Sequence, residues 1–90
     1  MGVSNVTKPI VLSDHAVMRL SARGCTEIEV VDAIRTMPWS AAELGRFECR
    51  KVFPFHAVWN GQSYALKEIR PVFVEEADRI VVVTVYGYFR

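Results

Sequence analysis

The sequence predicts an α+β domain: two N-terminal helices packed on one face of a three- to four-stranded antiparallel sheet. Three observations carry this. Apolar residues recur at helical spacing between cap signals over residues 14–36, and the pattern turns to strand alternation after Arg46. Asn60-Gly61, lying between two alternating runs, is the strongest short hairpin signal a sequence offers. Residues 79–89, Arg-Ile-Val-Val-Val-Thr-Val-Tyr-Gly-Tyr-Phe, form the only long β-branched and aromatic run. Being apolar on both faces, they are expected to form the central strand.

Ninety residues suffice for one core, so a single domain is expected. The composition is 51% hydrophobic and 23% charged, which excludes a disordered segment. No stretch approaches the ~20 apolar residues that span a bilayer, and the first residues lack a signal-peptide pattern. No membrane partner and a cytoplasmic setting are therefore expected, with Cys25 and Cys49 as free thiols.

Taken in order, residues 1–9 lack periodicity and read as a lead-in, passing to a short strand at 10–12. Ser13 is an N-cap with Asp14 in the first turn, where a negative charge suits the helix dipole. The first helix is expected over 14–23, burying Ala16, Val17 and Leu20, with Gly24 as the left-handed residue that closes it. Thr26-Glu27-Ile28-Glu29 is a capping box. The second helix runs to Thr36, burying Ile28, Val31, Ile34 and Met37, and Pro38 ends it. Residues 39–45 carry no assignable pattern. Strands are expected at 47–53, at 55–59 beyond a Pro54 kink, and at 63–69 across the Asn60-Gly61 turn. Pro71 lacks an amide donor and belongs at an edge, bulge or break. Residues 72–74 continue that strand and 75–78 turn into the last one. Along it, Val81, Val83 and Val85 are expected under the helices. Ile80, Val82, Thr84, Tyr86 and Tyr88 take the other face, which ends in three hydroxyls.

The net charge of +1 does not by itself point to nucleic acid. Residues 46–70 nevertheless hold Arg46, Arg50, Lys51, Lys67 and Arg70 against Glu48 and Glu68, a local excess of three. That is either a phosphate-binding face or the solvated side of edge strands. Glycine-rich phosphate loops, serine elbows, paired cysteines and His-Glu-x-x-His are all lacking, so neither metal nor cofactor is expected. A metal-free chemistry remains. Cleaving RNA at its own 2′-hydroxyl needs one group to remove that proton, another to protonate the leaving oxygen, and cations for the phosphate charge. Histidine suits the proton transfers and arginine the phosphate. His15, Arg19 and Arg23 recur every four residues along one helix edge. Thr84 and Tyr86 could add hydroxyls from the last strand, and Lys67 and Arg70 phosphate contacts from the basic segment. The plain alternative is that Arg19 and Arg23 are solvated helix charges pairing with Glu27 or Asp32, and that His15 is an ordinary first-turn residue.

Ser13-Asp14-His15-Ala16, Arg19, Arg23-Gly24-Cys25-Thr26, Glu29-Val30 and Val82-Val83-Thr84-Val85-Tyr86 together resemble the small bacterial and archaeal proteins grouped as domain of unknown function family 4258. The resemblance covers most of residues 12–86, with 38–60 aligning poorly. Cys25-Thr26 stands where that family more often has Ile-Ser. The family is itself similar to the barnase, EndoU, colicin and RelE group of metal-independent ribonucleases, many of them toxins of toxin–antitoxin pairs. The resemblance implies a toxin-like endoribonuclease, an RNA substrate and a small antitoxin partner. It implies His15 as acid or base, Arg19 and Arg23 as phosphate ligands, and Thr84 and Tyr86 as supporting hydroxyls. The second reading is a non-enzymatic module that uses the sheet and Trp59, Tyr86, Tyr88 and Phe89 to bind a partner protein or a second copy of itself.

Overall fold

The computed structural model describes residues 8–90, so residues 1–7 of the expected lead-in lie outside the described residues. The elements are β1 (Ile10–Leu12), α1 (Asp14–Ala22), α2 (Glu27–Thr36), β2 (Ser40–Ala41), a 3-10 turn (Glu43–Gly45), β3 (Phe47–Glu48), β4 (Lys51–Trp59), β5 (Gln62–Glu75) and β6 (Ile80–Phe89). Both helix starts follow from their caps. The Ser13 hydroxyl accepts from the Ala16 amide at 3.1 Å. Thr26 and Glu29 exchange reciprocal bonds of 3.2 and 3.0 Å. Gly24, at φ +67, closes the first helix.

The α+β class stands, but the sheet is not a three- or four-stranded antiparallel one. It has six strands in the order β1-β6-β5-β3-β2, with β4 also paired to β5, and it is mixed. β1 runs parallel to β6, with Ile10 opposite Ile80 and Leu12 opposite Val82. A three-residue strand is too short to announce its direction, and a parallel pair needs a long crossover. Here that crossover is nearly the whole chain. β2 and the 3-10 turn occupy the stretch without a sequence pattern.

The strand that organises the sheet is β5, which pairs with β3, β4 and β6, whereas β6 was expected at the centre. Pro71 sits inside β5, opposite Val85, and its missing donor is felt next door. Cys49 donates to the Pro71 carbonyl at 3.4 Å, but Pro71 has no N–H to return, and the neighbouring strand is interrupted there between β3 and β4. The Asn60-Gly61 turn forms as expected, with both residues at positive φ and Trp59 opposite Gln62.

A bulge rearranges the faces of β6. Val72 pairs with Thr84 and Phe73 with Val82, leaving Val83 as the extra residue. Ile80 and Val82 therefore face the helices and are buried, and beyond the bulge Val85 does so as well. The expected Val81, Val83, Val85 face is thus wrong before the bulge and right after it. Thr84, Tyr86 and Tyr88 lie on the side away from the helices.

The core joins Ala16 of α1 and Val30, Ala33 and Ile34 of α2 to Ile69, Phe73, Ile80, Val82 and Val85 of the sheet. Each large apolar side chain buried here contributes roughly 1.5–3 kcal/mol. The buried stripes are turned from those expected: Val17 is 53% and Ile28 82% exposed, and Val30 and Ala33 take the inward positions. Among the described residues no helix is long and apolar enough to cross a membrane.

Candidate functional site

The helices cover one face of the sheet. Ile69, Pro71 and Phe73 point toward them, so strand alternation turns Glu68, Arg70 and Val72 to the open side. Arg70 is the hub of that side. Its Nη1 donates to Glu48 Oε1 at 2.9 Å and its Nη2 to the Tyr88 hydroxyl at 2.9 Å. Its guanidinium carbon lies 4.5 Å from the ring centre of Tyr86, its cross-strand neighbour. Burial works against the charge on Arg70, but the bonds from Tyr88 and Glu48 outweigh it and raise its pKa above the ordinary arginine value.

Arg23 reaches the same ring from α1. β1 flanks β6 only over Ile80–Val82, so the later part of β6 is free on that side. The α1–α2 connection lies against it there: a Cβ on Gly87 would sit 2.7 Å from the Arg23 carbonyl oxygen. From that position the Arg23 side chain passes round the strand, bringing its guanidinium carbon 5.6 Å from the Tyr86 ring centre. The Nε atoms of Arg23 and Arg70 are buried and have no acceptor among the described residues.

One residue pair further along, Glu68 accepts from Arg90 at 2.8 Å and from Arg50 at 3.4 Å. The Arg90 bond, against the opposing effect of burial and helped by Arg50, holds the Glu68 carboxyl below its ordinary pKa. Beside Arg70 the open face dips into a hollow of about 430 Å³, lined by Arg46, Glu48, Arg70, Thr84 and Tyr86 and rimmed by residues 41–44. Five guanidinium groups, from Arg23, Arg46, Arg50, Arg70 and Arg90, thus gather on or beside one face with the carboxylates of Glu43, Glu48 and Glu68. Arg23 and Arg46 have no carboxylate partner among the described residues. The surface is cationic, rich in planar donors and floored by aromatic rings, which suits a phosphodiester.

Of the residues expected from sequence, Arg23, Arg70 and Tyr86 meet, and Thr84 lines the same hollow. His15 and Arg19 do not line it. His15 is exposed on α1 and makes no hydrogen bond or ion pair among the described residues, and Arg19 is half-buried without an ion pair there. Lys67 goes the other way. It is 5% exposed on the helix side, with Nζ 2.9 Å from Glu29 Oε1 and 2.9 Å from the Gly24 carbonyl oxygen. Adjacent residues of a strand point to opposite faces, so Lys67 and Arg70, three apart, cannot serve one surface. From sequence, Arg46, Glu48 and Arg50 stood only within the basic stretch 46–70, read as a phosphate-binding face or a solvated edge, and not as individual site residues. Their period-2 spacing was the available signal.

Burial pushes the Cys25 and Cys49 thiols up to about 11 and about 12, which favours the protonated form at neutral pH. Among the described residues no three His, Cys, Asp or Glu side chains converge as metal ligands do. The chain matches no protein-family model, no curated protein and no solved structure.

Proposed function

We propose that this chain is a toxin-like, metal-independent endoribonuclease of the cytoplasm, acting from the open face of its sheet and held in check by a small antitoxin. The observation that supports this reading is the gathering of Arg70, Arg23 and Tyr86 beside a hollow that also holds Arg46, Glu48 and Thr84. Three arginines and a phenol thus share one side of the sheet, and Arg23 and Arg46 have no carboxylate partner among the described residues.

In this reading Arg46 and Arg70 hold the scissile phosphate, and the Glu48 carboxylate accepts the 2′-hydroxyl proton as substrate displaces it from Arg70. The 2′-oxygen attacks phosphorus, the bond to the 5′-oxygen breaks, and the Tyr86 phenol donates to the leaving oxygen, with Thr84 as a further hydroxyl contact. The products are a 2′,3′-cyclic phosphate and a 5′-hydroxyl. His15, outside the hollow, is not required. Purified protein with a chelator present is expected to cut single-stranded RNA to those ends. Arg70→Ala should lower the rate by at least a hundredfold and His15→Ala should leave it within twofold. RNA left intact by the wild-type protein refutes the proposal.

A second reading, a non-enzymatic interaction or homodimerising module, draws support from Val52, Leu66 and Tyr88. These are 45, 38 and 40% exposed and flank Glu68 on the same open face. A strictly monomeric mass in solution, with no co-purifying protein, counts against it.

A further inference from the structure

The rim of the hollow contains a residue that is both strained and apolar in water. Leu44 sits at φ 63, ψ 34, in the left-handed region where a branched side chain is disfavoured, followed by Gly45 at φ +73. It is also 84% exposed. The free protein thus bears two costs at one position, a strained backbone and an apolar side chain in water, although glycine or asparagine would relieve both. Among the described residues, Leu44 belongs neither to the core cluster nor to the apolar side chains packed against it. What it borders is the hollow, whose other walls are the Arg70–Tyr86 stack, the Thr84 hydroxyl and the Glu48 carboxylate.

We infer that the hollow receives one unpaired nucleobase, and that Leu44 is its outer wall and a specificity-determining contact. This rests on the ribonuclease reading and names its substrate class as single-stranded RNA. The volume, about 430 Å³, lies in the range of pockets that enclose a ligand the size of one nucleotide. Besides the groups that serve the phosphate and the 2′-hydroxyl, the lining offers a base the apolar surfaces of Ala41, Ala42, Leu44 and Val72 and the carboxylate of Glu43. Arg46, without a carboxylate partner among the described residues, stands at the same hollow for the attached phosphate. A base held in a duplex cannot enter without leaving its stack, so paired RNA is a poor ligand.

The test measures fluorescence anisotropy with a labelled six-nucleotide 2′-O-methyl RNA, which cannot be cleaved at the 2′-oxygen, as a single strand and annealed to its complement. The proteins are wild type, Leu44→Gly and Leu44→Asn, each with its melting midpoint. The single strand is expected to bind wild type at least tenfold more tightly than the duplex. Both variants should bind it about tenfold more weakly, with midpoints equal to or above that of wild type. Variants that bind within twofold of wild type overturn the inference, as does equal binding of the duplex or a lowered midpoint for Leu44→Gly, which would make Leu44 a packing residue. If wild type binds and cleaves RNA while the variants match it, this inference alone falls. If wild type neither binds nor cleaves RNA, the ribonuclease reading falls and takes this inference with it.

Discussion

Replacing Lys67 by methionine separates a structural lysine from a phosphate ligand. In the fold, Lys67 Nζ is bonded to the Gly24 carbonyl and paired with Glu29, and it lies 5.2 Å from the Phe55 ring centre. Glu29 in turn caps α2 through the Thr26 amide. One buried ammonium therefore ties the sheet to both the end of α1 and the start of α2. Methionine keeps the length of the stem and removes the charge. The lost charged hydrogen bond to Gly24 is worth about 1.5–3 kcal/mol. Glu29 is then left without its cation, but its side chain is 22% exposed and keeps the Thr26 bond, so the penalty stays below the ~3–5 kcal/mol of a fully buried orphan. The desolvation cost of the buried ammonium disappears with it and offsets part of this, so the net loss is about 2–3 kcal/mol, a large share of the roughly 5–13 kcal/mol expected for a domain of this length. Urea unfolding should show a lower midpoint with an unchanged slope, and the melting temperature should fall by roughly 10–20 °C. Adding Glu29→Gln should recover part of the loss, because it removes the stranded charge. RNA cleavage at a temperature where the variant is folded should match wild type. Unchanged stability, or intact stability with lost cleavage, would refute the structural assignment of Lys67.

Gly87→Ala places a Cβ 2.7 Å from the Arg23 carbonyl oxygen and 3.1 Å from Cys25 Sγ. It should cost about 1–3 kcal/mol by overpacking, and a urea midpoint equal to wild type would contradict this. Glu68 carries a carboxyl held below its ordinary pKa, so its contribution is present above that ordinary value and is lost as pH falls through the lower folded one. The stability difference between wild type and Glu68→Gln should therefore shrink on going from pH 6 to pH 3, and a difference constant with pH would exclude the Arg90–Glu68–Arg50 network as its source. Cys25 and Cys49, buried with thiols near 11 and 12, should resist iodoacetamide at neutral pH until urea unfolds the chain. Rapid alkylation of a protein with native circular dichroism would argue against their burial.

The candidate site was half legible before folding. Arg70, Arg23, Thr84 and Tyr86 were expected to act on phosphate or RNA, and they come to one surface. His15 and Arg19 were grouped with Arg23 by helical spacing, yet only Arg23, at the helix end, reaches round β6 to Tyr86. Spacing along α1 says which residues share an edge, not how far that edge lies from the open face of the sheet.

By itself the sequence determined whatever depends on neighbours a few residues away: the Ser13 cap, the Thr26–Glu29 box, the Gly24 closure, the Asn60-Gly61 turn and the extended run of β6. These are satisfied by local hydrogen bonds and by single-residue φ preferences, so they survive without knowledge of the rest of the chain. Tertiary structure alone decided the parallel seat of β1 on β6, the bulge that turns Val83 aside, the burial of Lys67 and the meeting of Arg23 with Arg70 over Tyr86. Each joins residues some ten to seventy positions apart. Because a strand's faces alternate residue by residue, a single extra residue at the bulge reversed which side chains saw the core, and no local pattern records that reversal.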